Sequence, residues 1–153
     1  MEEAPSAADG CGNERDRQRA QVLDRLSFLA AHPDQAEVVE HGAGCDPASG
    51  QVFASREYRW ASLDARRVIT FYQGLAAHDG WQPWPVSSGP GTTGDKVDPA
   101  AQGLGAFLCF TKQVGASPAF MELYFQDSSV HGPLGDVYDV VAWWPRPREP
   151  SGC

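Results

Sequence analysis

Two apolar segments, GAFLCFTK (105–112) and AFMELYFQ (119–126), flank the short turn VGASP. So short a link returns the chain beside itself, and the two segments are predicted to pair as an antiparallel hairpin. In the second segment Ala119, Met121, Leu123 and Phe125 share one face, while Glu122 and Gln126 lie on the other. That alternation belongs to a sheet with one covered face.

The N-terminal half repeats the theme. Ala36 to His41 predicts a short strand, GAGCDPASG a loop of turn formers, and Gln51 to Trp60 a second strand that completes a hairpin. Val52, Ala54, Arg56, Tyr58 and Trp60 form the expected core side of that strand, with Arg56 the misfit. Between the two hairpins lies a helical segment. Ser62 is its expected N-cap, Asp64 suits the positive end of the helix dipole, and Gly80 ends it. Val68, Phe71, Tyr72, Leu75 and Ala76 supply its apolar stripe, and Trp81 is expected to pack back onto the helix. A further helix is predicted from Asn13 to Ala31, with Val22, Leu26 and Leu29 as its stripe, ended by His32-Pro33. Residues 82–104 are rich in turn formers, and DVYDVVAWW (136–144) is a third C-terminal strand. The sum is a single α+β domain over 13–144. In it an antiparallel sheet of about five strands packs against one main helix, with a second helix at the N-terminus. Residues 1–12 read as a leader and 145–153 as a tail.

Charge narrows the partners. Asp and Glu number 20 against 12 Lys and Arg, a net charge of −8. A phosphate backbone would be repelled by such a surface, which argues against nucleic acid; a basic protein partner would be attracted. No apolar run approaches the roughly 20 residues of a membrane-spanning helix. The opening MEEAPSAADGCGNERDR has no apolar signal segment. The chain is therefore either cytosolic or the part that follows an export signal.

The glycine-rich stretch SSGPGTTGDK (87–96) approaches a phosphate-binding loop but lacks its chemistry. Asp95 separates Gly94 from Lys96, Val97 stands where a metal-ligating hydroxyl belongs, and Pro90 removes a donor N–H. No cofactor motif is found. None of Cys11, Cys45, Cys109 and Cys153 belongs to a CxxC pair. Cys11 and Cys153 fall in the two ends, which makes Cys45 and Cys109 the candidate disulfide; alternatively both are reduced and Cys109 is a small buried apolar group. His41 and Cys45 could reach one metal but lack further ligands. A Cys109–His131–Asp136 arrangement can be drawn, yet Leu108 and Phe110 surround Cys109 with apolar neighbours rather than a field that favours a thiolate. Glu37, Glu40 and Glu57 could pair as acid and base for sugar hydrolysis. Of five tryptophans, Trp60, Trp84, Trp143 and Trp144 are candidates for a binding surface. Because neighbours on a strand face opposite ways, one of Trp143 and Trp144 is expected inside and the other partly outside.

Over residues 20–143 the chain resembles a group of small actinobacterial exported proteins, many of them lipoprotein-like. The shared positions are Cys45 after a short strand, Tyr58 on the next, Phe71-Tyr72 on a helix, Gly80-Trp81, and Cys109-Phe110-Thr111 on a later strand. The resemblance implies an oxidising location and a Cys45–Cys109 bridge. Cys11-Gly12 looks like the start of a mature lipoprotein, although Asp9 makes the preceding residues a poor lipobox. These features favour a non-catalytic interaction domain of the envelope or the extracellular space over an enzyme. An acidic inhibitor or immunity-type protein is the first alternative, and a tryptophan-lined carbohydrate binder or enzyme the second.

Overall fold

The computed structural model describes residues 10–61, 64–84, 107–125 and 137–145. In chain order these form helix α1 (Glu14–Asp24), the short helix α2 (Ser27–Ala30), strands β1 (Glu37–Cys45) and β2 (Val52–Arg59), and helix α3 (Ala65–Asp79). Strands β3 (Gln82–Pro83), β4 (Phe107–Val114), β5 (Ser117–Phe125) and β6 (Val137–Trp143) follow. The strands make one six-stranded antiparallel sheet in the order β1-β2-β6-β5-β4-β3. The α+β architecture is as expected, with the two-residue β3 added at one edge. The glycine-rich stretch 87–96 and the tail beyond 145 lie outside the described residues.

The sheet has an inner and an outer face. Cross-strand register places Ala54 beside Ala142, Tyr58 beside Tyr138, Ala142 beside Met121 and Val140 beside Leu123. All of these are buried on the inner face, with Val68, Tyr72 and Ala76 of α3 above them. Helix α3 ends as its sequence demands. Gly80 adopts φ 84°, and the Trp81 N–H donates to the Ala76 carbonyl at 2.9 Å, so Trp81 folds back and is buried. The N-cap is Asp64, whose carboxylate accepts from the N–H groups of Arg66 and Arg67. The Lys112 ammonium donates to the Asp79 carbonyl at 2.6 Å, placing a cation at the negative end of the helix.

The N-terminal helix departs from expectation. It breaks at Leu26, whose ψ of 131° is extended, into α1 and α2. An uninterrupted helix would turn Phe28 roughly a third of a turn away from the Leu26–Leu29 stripe. The break lets both Phe28 and Leu29 enter the core, while Val22 is left outside and Leu23 is buried in its place. Phe28 then contacts Tyr72, Trp81 and Phe110 at ring distances of 5.5, 5.6 and 5.8 Å. Two tyrosine hydroxyls hold the backbone of this segment: Tyr58 donates to the Leu29 carbonyl, and Tyr72 to that of Ala31 at 3.0 Å. The misfit Arg56 is also explained. Its guanidinium pairs with the Asp24 carboxylate at 2.8 Å and donates to the Asp24 carbonyl at 3.0 Å, tying α1 to β2.

Strand β1 runs to Cys45, four residues beyond the expected end, because the Gly42–Cys45 backbone pairs with Val52–Ser55. The turn is confined to residues 46–51, where the Asp46 carboxylate accepts from the Ala48 N–H and the Ser49 hydroxyl.

The disulfide partner of Cys45 requires correction. Cys45 is bonded to Cys11, with Cα atoms 4.8 Å apart, and not to Cys109. Strands β1 and β4 stand four spacings apart in the sheet, about 19 Å, well beyond the ~7 Å limit for a bridge. They also present the two sulfurs to opposite faces: Cys45 pairs with inner Val52, and Cys109 with outer Glu122. Cys109 is itself disulfide-bonded. Cys11 is thereby drawn from the presumed leader into the buried core. Gly10 beside it has φ 73°, and a side chain there would overlap the Cys45 carbonyl oxygen.

The bridge closes a loop containing both N-terminal helices, so its removal should release chain entropy in the unfolded state. Replacing Cys11 and Cys45 by Ala is expected to cost about 4 kcal/mol, read as a lower urea midpoint with a slope that rises, because the uncrosslinked unfolded chain exposes more surface. Tyr72→Phe leaves the Ala31 carbonyl without its donor and should cost about 1–3 kcal/mol in the same measurement.

Candidate functional site

With the helices packed over the inner face, the outer face carries the chemically distinctive residues. Three rows of side chains cross it. The first joins Glu40 of β1, Glu57 of β2, Asp139 of β6 and Tyr124 of β5. The second joins Ser55, Val141 and Glu122, and the third joins Phe53, Trp143 and Phe120. Carboxylates from four strands thus lie beside a band of aromatic rings.

Two adjoining depressions open on this face and share Phe53. The larger, about 600 Å³, is lined by Asp46, Gln51, Phe53, Glu122, Tyr124 and Trp143, with Pro47 and Val141. The smaller, about 270 Å³, is lined by Glu40, His41, Phe53, Glu57 and Asp139 among others. In the larger one the Glu122 carboxyl accepts hydrogen bonds from the side chains of Tyr124 and Trp143. Burial raises the Glu122 pKa above the ordinary glutamate value, and those two hydrogen bonds partly offset the rise. Tyr124 is pushed up in turn, first by burial and then by its hydrogen bond to Glu122 and the charges of Glu122 and Asp139.

The four candidate tryptophans do not share one surface. Trp60 and Trp144 are buried at 6% exposure, each with an arginine over its ring: Arg67 at 5.9 Å and Arg19 at 4.6 Å. Trp84 and Trp143 reach the outer face, where both contact Phe120, at ring distances of 5.2 and 5.1 Å. Of the adjacent pair, Trp144 is inside and Trp143 partly exposed, as alternation requires.

The catalytic alternatives meet specific obstacles. Disulfide bonding leaves Cys45 without a thiolate to join His41 on a metal, and leaves Cys109 without one to act as nucleophile. His131 and Asp136 lie outside the described residues, and among the described residues no group of three His, Cys, Asp or Glu could hold a metal ion. Cys11, in its disulfide, has no thiol to carry a lipid. Of the three glutamates, Glu40 and Glu57 are cross-strand neighbours, and Glu37 pairs with Arg59 two positions along β2 from Glu57. Sequence reasoning missed Glu122, Asp139 and Phe53. The alternation in AFMELYFQ had already placed Glu122 on the face opposite the core, but its neighbours come from β2 and β6, and only the strand order reveals them.

Among the described residues no helix is long and apolar enough to cross a membrane. No family model, curated protein or solved structure matches the chain.

The raised Glu122 pKa carries a sign. Folding favours the protonated acid, so ionised Glu122 costs stability as pH climbs past the ordinary glutamate value, and in full above the raised one. Glu122→Gln keeps an acceptor for Tyr124 and Trp143 without the charge. Its stability relative to wild type should rise as pH climbs past the ordinary glutamate value and level off once Glu122 is ionised in the folded protein as well. Urea titrations across that rise check this; a constant difference would show a well-solvated carboxylate.

Proposed function

We propose that this chain is a non-catalytic interaction domain of an oxidising, extracytoplasmic compartment, secreted or envelope-attached, that covers a basic segment of a protein partner with the outer face of its sheet. The observation that carries this reading is the convergence of Glu40, Glu57, Asp139 and Glu122 with Phe53, Tyr124 and Trp143 on one face. Aromatic rings provide contact area at small conformational cost, and a carboxylate surround selects for positive charge and accelerates encounter. The net charge of −8 extends the same field over the molecule. Disulfide bonding at Cys11, Cys45 and Cys109 supports the compartment, since structural disulfides persist where the surroundings are oxidising. A carbohydrate stacked on the same rings is the second reading, favoured by the polar groups of Gln51 and Asp46 at the rim of the larger cavity.

A fluorescent polybasic peptide should bind in low salt and weaken steeply as salt rises. Glu40→Gln with Glu122→Gln should weaken it about tenfold or more, whereas Glu14→Gln with Asp34→Asn, an equal charge change away from the face, should not. Equal effects from the two pairs would reduce the interaction to net charge and end the proposal.

A further inference from the structure

We infer that the cavity around Glu122 is an arginine-selective subsite, built to receive one guanidinium group of the basic partner; this rests on the reading of the outer face given above. The chain itself shows how its tryptophans are completed. Trp60 lies under Arg67, Trp144 under Arg19 and Trp81 under the Lys112 ammonium at 5.9 Å. Among the described residues no cation lies over Trp143, the tryptophan that lines the acidic cavity. Glu122 completes the other half of the arrangement: its carboxyl is held by Tyr124 and Trp143, and among the described residues no cation pairs with it.

The geometry distinguishes arginine from lysine. Phe53 and Trp143 are directly opposed across β2 and β6, and Glu122 lies opposite Val141, one row along. A planar guanidinium can lie against an aromatic ring and at the same time direct N–H groups from its edge to a neighbouring carboxylate. An ammonium is a compact, strongly hydrated point charge and cannot do both in one plane. A carboxylate has about four lone-pair sites; the donors from Tyr124 and Trp143 leave others for the ligand. Phe120 backs Trp143 with rings inclined by only 23° at 5.1 Å, and Trp84 meets Phe120 edge-on, so the ring that receives the cation is supported from behind. Trp84 has no comparable role, because the 280 Å³ cavity it borders is lined by Gln73, two alanines, Pro83, Leu108, Cys109 and aromatic rings, without a carboxylate.

The test compares nona-arginine and nona-lysine peptides of equal charge on the full chain. Nona-arginine should bind about tenfold tighter than nona-lysine and change tryptophan fluorescence. Glu122→Gln and, separately, Trp143→Leu should each bring the two peptides to equal affinity while leaving weak, salt-sensitive binding in place. Equal affinities on the wild-type chain would overturn the subsite yet leave the broader reading standing. No binding of either peptide would remove both. Saturable binding of a neutral disaccharide, abolished by Trp143→Leu, would overturn the subsite in favour of a sugar.

Discussion

The rest of the molecule depends on two tyrosine hydroxyls that reach into a gap between helix and sheet. Tyr58 from β2 and Tyr72 from α3 donate to the carbonyls of Leu29 and Ala31, and Tyr72 also meets the Tyr138 hydroxyl at 3.1 Å. Buried carbonyls without donors are costly, and a four-residue helix cannot satisfy its own last turn. The hydroxyls let α2 sit in the core as a wedge, with Phe28 and Leu29 filling the space between α3 and the sheet. Burial raises the pKa of all three tyrosines, so they remain neutral donors through the physiological range.

This inner arrangement releases the outer face from a packing role over much of its area. The disulfide between Cys11 and Cys45 and the Arg56–Asp24 pair fasten α1 to the first hairpin, while Lys112 and Trp81 fasten α3 to β4. The carboxylates and rings beyond β2, β6 and β5 therefore stand on a rigid support, which is where a binding constellation gains most from preorganisation. A partly buried glutamate between a tyrosine and a tryptophan is unfavourable for the fold considered alone. Local departures of that kind are most often found at functional sites.

What could be read from residues was whatever depends on near neighbours. The β4–β5 hairpin, the alternation of Val52, Ala54 and Tyr58, and the Gly80-Trp81 helix stop all act over a few positions and appear as expected, although the strands pair through Val114 and Ser117 and so narrow the VGASP turn to residues 115–116. The helix break at Leu26 was not legible, because nothing in the local pattern forbids a continuous helix there. The demand comes from the pocket formed by Tyr72, Trp81 and Phe110, far along the chain. The site divides in the same way: Trp143 was identifiable as a partly exposed aromatic, while its partners Glu122 and Phe53 were not.

By itself the sequence determined an antiparallel α+β fold with one covered face and an acidic balance, since turns, periodicity and charge are local or additive. Only the tertiary structure decided that β6 enters the sheet between β2 and β5. That insertion brings Glu57, Asp139 and Glu122 together and sets Trp143 between Phe53 and Phe120. It also widens the distance between Cys45 and Cys109 beyond bonding reach. Strand order is a long-range choice made by the packing of whole faces, and no short window of residues contains it.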